Sequence, residues 1–382
     1  MRKFIGIFLM LAFVLLETSG CVRELVKPDG TEEPDARIHF SAADVLVSAA
    51  FTKAEDWPPT DADGHPIDQP SVNLLEDGNQ MVVYGGHLSG QEAESVFKHM
   101  RVTFHVGDDE DKDAVNASGN GWQSDFPRYW KRFGSYRFMA VYPYITNKNN
   151  CSCATDFSQL VVTYRVHGDD FDLMVADAGR DMSTVYDHST VPLHFRHACS
   201  AIRFIFKKGT TVHNYWLHSF ELQNVKTVGA LVHDFAVQSD GKTAPVTRKS
   251  WILIDYQDPR VFDWEASTSS DPDKVVPGTY AQFVRDRSND LAKWHYVIPQ
   301  TASDYSGTQQ PTIYFSILVN KDSNPNTEPI YMSLPVPDID WQPGKIYNYY
   351  IQIQPSQADI KVVTTDWEDE YFYYLGADDI IF

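Results

Sequence analysis

The chain has 382 residues, of which 32 are Lys or Arg and 52 are Asp or Glu, so its formal net charge is −20 at pH 7. Nucleic-acid binding and electrostatic docking on anionic lipid both need clustered positive charge, and so acidic a chain argues against either. Hydrophobic residues make up 43% of the sequence, which excludes general disorder, and the length predicts two or three domains.

The first twenty residues have the pattern of an export signal. Arg2 and Lys3 precede an apolar run from Phe4 to Leu16, which is too short to cross a bilayer as a helix. Small residues then lead to Cys21, as a lipoprotein signal peptidase requires. We therefore expect residues 1–20 to be a lipoprotein signal peptide and Cys21 to be the lipidation site. Ordinary secretion with an incidental cysteine is the alternative.

Residues 21–37 are polar and contain Pro28, Gly30 and Pro34. Such a composition is typical of a flexible tether. We expect the folded part of the chain to begin at Ile38.

Three cysteines remain besides Cys21, namely Cys151, Cys153 and Cys199. Exported proteins that depend on disulfides carry more of them, so we expect no disulfide framework. A zinc site would need another pair at the spacing of Cys151 and Cys153. One bridge from Cys199 to either of the other two stays open.

From Ile38 onward the sequence shows the two-residue alternation of β-strands. Short alternating runs are bounded by Gly, Pro, Asn and Asp, which predicts an all-β protein of tandem sandwiches. We expect an N-terminal domain over residues 38–205 and a C-terminal domain over 206–382. Two local expectations are a strand that ends at Gly85-Gly86 and a short helix over Gln91–His99.

Motifs for catalysis and cofactor binding are absent from the sequence. It contains no GxxxxGK[ST], GxGxxG or GxSxG pattern. The acidic stretch Asp108–Asp113 has Ala114 and Asn120 where an EF-hand needs Gly and Glu, so we interpret it as a solvated hairpin tip. His194 and His197 fall on opposite faces of a predicted strand. We expect no catalytic residue, no metal site and no cofactor, and a protein that is not an enzyme.

Several motifs, in the right order, resemble those of the fimbrillin family. The segment PRYWKRFGSYRFMAVYPY (127–144) resembles its Tyr-Trp pair followed by a strand ending in Ala-x-Tyr-Pro. DLMVA (172–176) and the HFRHA segment (194–198) resemble two further motifs, as do VIPQ (297–300) and WQPGK (341–345). The residues that carry the motif core are Trp130, Tyr136, Phe138, Tyr142, Pro143, His197, Gly344, Tyr347 and Trp367.

The resemblance implies two tandem transthyretin-like β-sandwich domains in a lipoprotein of the outer membrane and cell surface. It implies a structural or adhesion role in fimbriae (pili), with other fimbrial subunits, self or related, as partners. A ligand on a host or bacterial surface would be a further partner, and no nucleic acid is expected. Stalk subunits of this family lose a tether and first strand to an Arg-specific protease, and a neighbour's C-terminal segment fills the vacated groove.

Carried over to this chain, the scheme makes Arg37 the candidate protease cleavage site. Lys53 occupies the place where relatives often carry a basic residue, but Lys does not suit an Arg-specific enzyme. The alternative is that both are incidental basic residues of a linker. The apolar C-terminus is the candidate donor tail, and packing on its own domain is the alternative. The tail residues are Tyr371, Phe372, Tyr373, Leu375, Ile380, Ile381 and Phe382.

A different function is that of a surface lipoprotein that binds glycans through exposed aromatic side chains. Such a platform would draw on several tryptophans, although tryptophans are more often buried in a core. The candidates are Trp57, Trp122, Trp216, Trp251, Trp264 and Trp294.

Overall fold

The computed structural model describes residues 37–41, 74, 77–90, 92–105, 121–166, 172–182, 189–208, 215–238, 241–254, 257–258, 262–265, 274–275, 295–306, 309–319, 328–354 and 357–366. Its contacts divide the chain into two units, Met1–Arg37 and Ile38–Phe382, and every element below belongs to the second.

The described elements are nearly all β-strands, with two short 3₁₀ turns at Arg248–Ser250 and Ala302–Tyr305. In chain order the strands are β1 (Phe40–Ser41), β2 (Gln80–Ser89), β3 (Glu92–His105), β4 (Gly121–Ser124), β5 (Ser135–Tyr142), β6 (Cys151–Cys153), β7 (Gln159–Arg165), β8 (Met174–Asp181), β9 (Val191–Pro192), β10 (Arg196–His197), β11 (Ser200–Lys208), β12 (Tyr215–Gln223), β13 (Val225–Lys226), β14 (Val228–Asp234), β15 (Trp251–Leu253), β16 (Gln257–Asp258), β17 (Phe262–Glu265), β18 (Lys274–Val275), β19 (His295–Val297), β20 (Gln300–Thr301), β21 (Thr312–Val319), β22 (Ile330–Pro335), β23 (Asp340–Trp341), β24 (Lys345–Gln354) and β25 (Gln357–Asp366).

Eight of these strands form the large sheet, in the spatial order β10-β8-β5-β2-β3-β4-β1-β9. A second sheet has the order β15-β14-β7-β6, a third β19-β11-β24-β25, and a fourth β17-β12-β21-β22, with β18 also on β12. Neighbouring strands are antiparallel except for the parallel pairs β1/β9 and β11/β24. Two further short ladders pair β13 with β16 and β20 with β23, and an isolated antiparallel bridge joins Val237 to Thr243. The predicted all-β class is confirmed.

The β2–β3 hairpin differs from both local expectations. β2 does not end at Gly85-Gly86 but continues to Ser89. Of the segment predicted as a helix over Gln91–His99, residues 92–99 form the first half of β3. Residues 92–95 of β3 are exposed, so they carry no apolar alternation that would mark a strand. Pairing with β2 across a bulged register overrides the weak local preference for a helix.

Both faces of the large sheet are buried, and consecutive residues of β2 enter different clusters. Met81 and Val83 pack with Phe97 and Phe138 in one cluster. Val82 and its neighbour Tyr84 pack in the other, which runs on through the second, third and fourth sheets. One apolar cluster therefore connects strands from both ends of the folded unit.

The predicted boundary between residues 205 and 206 falls inside β11. Strands β14 and β15 follow this boundary in the chain but pair in one sheet with β6 and β7, which precede it. The division into two tandem sandwiches stays a prediction. No helix among the described residues has the length and apolar character to cross a membrane.

Candidate functional site

The segment Ile38–Ser41 lies in the large sheet between strands that come much later in the chain. Phe40 is opposite Trp122 in the antiparallel pair with β4 and opposite Val191 in the parallel pair with β9. The N–H of Val191 donates to the His39 carbonyl at 2.8 Å, and other main-chain bonds involve the N–H of Ile38 and the carbonyl of Ser41. Strand β1 is thus hydrogen-bonded on both sides.

The apolar side chains of this segment fill a slot in the sheet. Ile38 is 4% exposed and Phe40 is 3% exposed. The Phe40 ring meets Phe97 edge-on at 5.3 Å between centroids and Phe138 at 5.5 Å. Burial of two such side chains stabilises the strand by about 3–6 kcal/mol. We call this slot, bounded by β4 and β9 and closed beneath by Phe97 and Phe138, the β1 groove.

Arg37, the predicted cleavage site, is exposed and directly precedes the groove segment. The next arginine in the sequence is Arg101, in β3, and Lys53 lies outside the described residues. Cleavage after Arg37 would therefore remove the tether but leave β1 joined to the rest of the fold.

Motif residues from the 127–144 segment extend the wall beneath the groove. Trp130 is buried, and its ring meets Tyr136 at 4.7 Å and Phe138 at 5.9 Å between centroids. The hydroxyl of Tyr136 accepts a hydrogen bond from the Lys131 N–H at 2.6 Å. These contacts hold the loop before β5 against the aromatic cluster.

Tyr142 and Pro143 stand at the end of β5. Tyr142 is half-buried, with its ring 6.4 Å from that of Phe195, and the Tyr142-Pro143 peptide bond is cis.

Two motifs that are separate in the sequence meet at a buried hydrogen bond between an aspartate and a histidine. Asp172, at the start of the DLMVA motif, bonds through Oδ2 to Nδ1 of His197. A second buried pair joins Asp177 of β8 to Nε2 of His233 in β14, at 2.9 Å. Sequence reasoning missed the second pair because its members are far apart and match no motif.

The C-terminal motif residues lie in and around the turn between β23 and β24. Gly344 has φ +65°, a left-handed conformation that favours glycine, and its N–H donates to the Cys199 carbonyl at 2.9 Å. The Tyr347 hydroxyl donates to the Asp340 carbonyl at 2.5 Å. Trp341 is fully buried and donates from Nε1 to the Tyr349 hydroxyl at 2.6 Å. Trp367 lies outside the described residues.

The remaining predicted positions lie partly outside the described residues. Cys21, the tail residues 371–382 and the acidic stretch 108–113 are not described, nor are the side chains of Trp57, Trp216, Trp264 and Trp294. Trp122 and Trp251 are only 4% and 3% exposed, so the suggestion that these two belong to an exposed platform is wrong. The ring of Trp122 packs edge-on against Phe104, and that of Trp251 against Tyr164. Trp251 also donates from Nε1 to the Ala198 carbonyl at 2.8 Å.

The three described cysteines are free thiols. Burial raises the pKa of Cys151 and of Cys153 to about 12 and also raises that of Cys199. Among the residues with described placement, no group of three or more His, Cys, Asp or Glu side chains is arranged to hold a metal ion.

Solved structures similar to this chain include bacterial cell adhesion and fimbrial proteins. A candidate cell adhesion protein from Bacteroides uniformis is 14% identical, with a TM-score of 0.45, and the match covers 76% of this chain and 93% of that one. A fimbrial protein from Bacteroides vulgatus is 11% identical, with a TM-score of 0.44 and coverages of 75% and 92%. The tip fimbrial protein Mfa3 from Porphyromonas gingivalis is 11% identical, with a TM-score of 0.38 and coverages of 77% and 96%.

A comparison with curated proteins gives no match. The model of the fimbrillin-like family matches residues 71–367, a span that includes the motifs around Trp130, His197 and Gly344 but not β1. Because this match covers well over half of the sequence, the chain belongs to the fimbrillin-like family.

Proposed function

We propose that this protein is a structural or adhesion subunit of cell-surface fimbriae that joins other subunits through β-strand exchange or acts as a lipid-anchored fimbria-associated protein. Membership of the fimbrillin-like family, whose members are structural and not enzymatic, supports a fimbrial role. The β1 groove is the observation that carries the finer proposal.

A strand held between two others mainly by main-chain hydrogen bonds and two apolar side chains suits exchange. The described part of the groove segment buries Ile38 and Phe40, and an incoming strand would have to place apolar side chains at these two positions. Such a strand gains main-chain hydrogen bonds from β4 and β9 and specificity from its alternate side chains. The tail from Tyr371 to Phe382, in a neighbouring copy, is the donor that we propose.

Proteolytic processing at Arg37 would decide whether the protein stays lipid-anchored or is released from the lipid. A chain that keeps lipidated Cys21 and the tether stays at the outer membrane and acts as an anchor. A chain cut after Arg37 is free of lipid but still contains β1, because no arginine lies between Arg37 and Arg101. A donor strand would then have to displace β1.

The mature N-terminus tests the processing step. Intact mass after incubation with an Arg-specific protease is expected to show a start at Ile38, and Arg37→Lys is expected to abolish this product, whereas the matched tether change Arg23→Lys leaves it unchanged. Resistance of the bond after Arg37 in the wild-type protein contradicts cleavage and leaves the lipid-anchored form.

Electron microscopy of the producing cells tests the fimbrial role. Loss of surface filaments, or of their attachment to the cell, is expected on deletion of the protein. Cys21→Ala is expected to shed the protein from the membrane fraction. Cells whose filaments are unchanged in number, length and attachment without the protein would contradict the proposal.

Deletion of residues 371–382 distinguishes the two roles of the tail. A stable monomer that no longer assembles supports the donor role. A chain that unfolds indicates that the tail packs on its own fold.

A further inference from the structure

Two exposed tyrosines lie among polar side chains on the outer face of the sheet formed by β12, β21 and β22. Tyr331 is 76% exposed and Tyr314 is 39% exposed. Tyr314 of β21 lies opposite Glu221 of β12 on one side and opposite Ser333 of β22 on the other. Tyr331 is two residues from Ser333 along β22 and lies opposite Ser316 of β21. The two tyrosines are therefore diagonal neighbours on one face, about 7–8 Å apart.

The sheet beneath them is firmly held. Phe220 and Phe315 point into the core from the opposite face and are buried. On the outer face, the hydroxyls of Ser219 and Ser316 are hydrogen-bonded at 2.5 Å. The Gln223 amide donates to Glu221 Oε1 at 2.8 Å, which fixes both side chains beside Tyr314.

We propose that this tyrosine face (Glu221, Gln223, Tyr314, Tyr331 and Ser333) binds a neutral oligosaccharide. The C–H faces of a sugar ring pack on aromatic rings, and a tyrosine adds a hydroxyl at the edge of each such contact. Carboxylate, amide and hydroxyl groups together offer both donors and acceptors for sugar hydroxyls. The acidic side chain of Glu221 and the net charge of −20 disfavour sulfated, phosphorylated or uronic-acid chains.

Protein partners fit this face less well. A stable protein interface buries about 1,200–2,000 Å², with an apolar centre. Here the two tyrosine rings are the apolar part of the face and are flanked by polar Glu221, Ser316 and Ser333, so the apolar centre is small. Strand addition at β22 is also hindered, because Pro335 within the strand and Pro329 just before it lack an N–H donor.

Affinity electrophoresis of the full-length protein tests the proposal, with soluble starch, galactomannan, mixed-linkage β-glucan and mannan as neutral probes and heparin and polygalacturonate as anionic probes. We expect at least one neutral polysaccharide to slow migration. The double variant Tyr314→Ala/Tyr331→Ala is expected to weaken this binding about 10-fold or more, since it removes both stacking contacts.

Phe126→Ala is the matched control, because Phe126 in the loop after β4 is an aromatic whose exposure, 61%, lies between those of the two tyrosines. It should leave retardation unchanged, and circular dichroism should show the same fold for all variants.

Three outcomes would overturn the proposal: no retardation by any neutral polysaccharide, equal retardation of the double variant, or retardation by the anionic polymers alone. Concentration-dependent association that the double variant abolishes, without sugar binding, would identify a protein interface instead. Filament formation is scored separately, so failure here does not bear on the fimbrial role.

Discussion

Gln300 is fully buried, and its side-chain amide bonds the main chain of Lys226 through both polar atoms. Its Oε1 accepts from the Lys226 N–H at 3.2 Å, and its Nε2 donates to the Lys226 carbonyl at 3.2 Å and to the Ile298 carbonyl at 2.8 Å. The side-chain amide of Gln300 thus pairs with the main chain of Lys226 as a neighbouring strand would, and it links the VIPQ turn to β13 by hydrogen bonds.

Replacement of Gln300 by Leu is expected to lower the free energy of unfolding by about 2–4 kcal/mol, because it leaves the buried N–H and carbonyl of Lys226 without these partners. Urea denaturation followed by circular dichroism measures the loss. The control Gln310→Leu changes an exposed glutamine and is expected to stay within about 0.5 kcal/mol of the wild type. Equal effects of the two substitutions would contradict this role for Gln300.

A second single residue, His99, is expected to make the free energy of unfolding depend on pH. It is buried between the rings of Tyr84 and Tyr144, and burial lowers its pKa below the ordinary value of 6.5. The unfolded chain therefore takes up the proton first, and the free energy of unfolding falls as the pH drops below about 6.5, by at most about 1.4 kcal/mol per pH unit.

The substitution His99→Phe keeps the ring contacts and removes the titration. Stability curves between pH 7 and pH 5 are expected to fall less steeply for this variant than for the wild type, whatever its stability at pH 7. Exposed His105, changed to Phe, is the control and should leave the slope as it is. A His99→Phe curve parallel to that of the wild type would count against the assignment.

At the scale of elements, β2 shows why two adjacent glycines lie in the middle of a strand. A Cβ on Gly86 would come within 2.1 Å of the Phe157 ring, and one on Gly85 within 2.7 Å of Phe138. The glycines therefore let β5 and the Phe157 turn pack directly on the β2 main chain.

Gly86→Ala is expected to cost about 2–4 kcal/mol of stability, because Phe157 is buried and cannot move aside without strain. Thermal unfolding measures the effect. The control is Gly179→Ala in β8, where the nearest atom to a new Cβ is 3.4 Å away. A Gly86→Ala protein as stable as Gly179→Ala would contradict the packing argument.

The β1 groove makes a second prediction at this scale. Phe40→Ala should loosen β1 and speed amide hydrogen exchange at Val191 and Leu193, whose N–H groups donate to the His39 and Ser41 carbonyls. Amides in the centre of β5 are expected to keep their protection. His39→Ala, at a half-buried position, is the control. Loss of protection throughout the protein would mean that β1 does not open separately.

For the whole molecule, the shared apolar cluster predicts one cooperative transition. Residues from β2 to β24 belong to a single buried cluster, and contacts define one unit from Ile38 to Phe382. Calorimetry is expected to show one unfolding peak. Gly86→Ala in β2 and Gln300→Leu in β20 should both move this peak to lower temperature, although the two positions are far apart in the sequence. Two peaks, each moved by one substitution, would instead indicate two independent domains.

Local patterns were enough to predict several parts of this molecule. Alternation in β5 and β24 and the order of the motifs indicated an all-β fimbrillin-like chain, because successive side chains of a strand point to opposite faces of the sheet and each face selects its own residues. The first half of β3 could not be predicted in this way, because its exposed residues 92–95 do not alternate between apolar and polar. The hydrogen bond between Asp177 and His233 could not be predicted either, because the two residues are far apart in the chain and belong to no recognisable motif.

The sequence by itself therefore determined the strand class, the resemblance to the family and the presence of an arginine directly before the first apolar residues of the fold. Only the tertiary structure decided that this strand lies between β4 and β9, that Trp122 and Trp251 are buried, and that Tyr314 and Tyr331 share an outer face. The physical reason is that periodicity reports which residues of one strand share a face. The choice of neighbours in a sheet depends on pairing between distant segments, which no local pattern encodes.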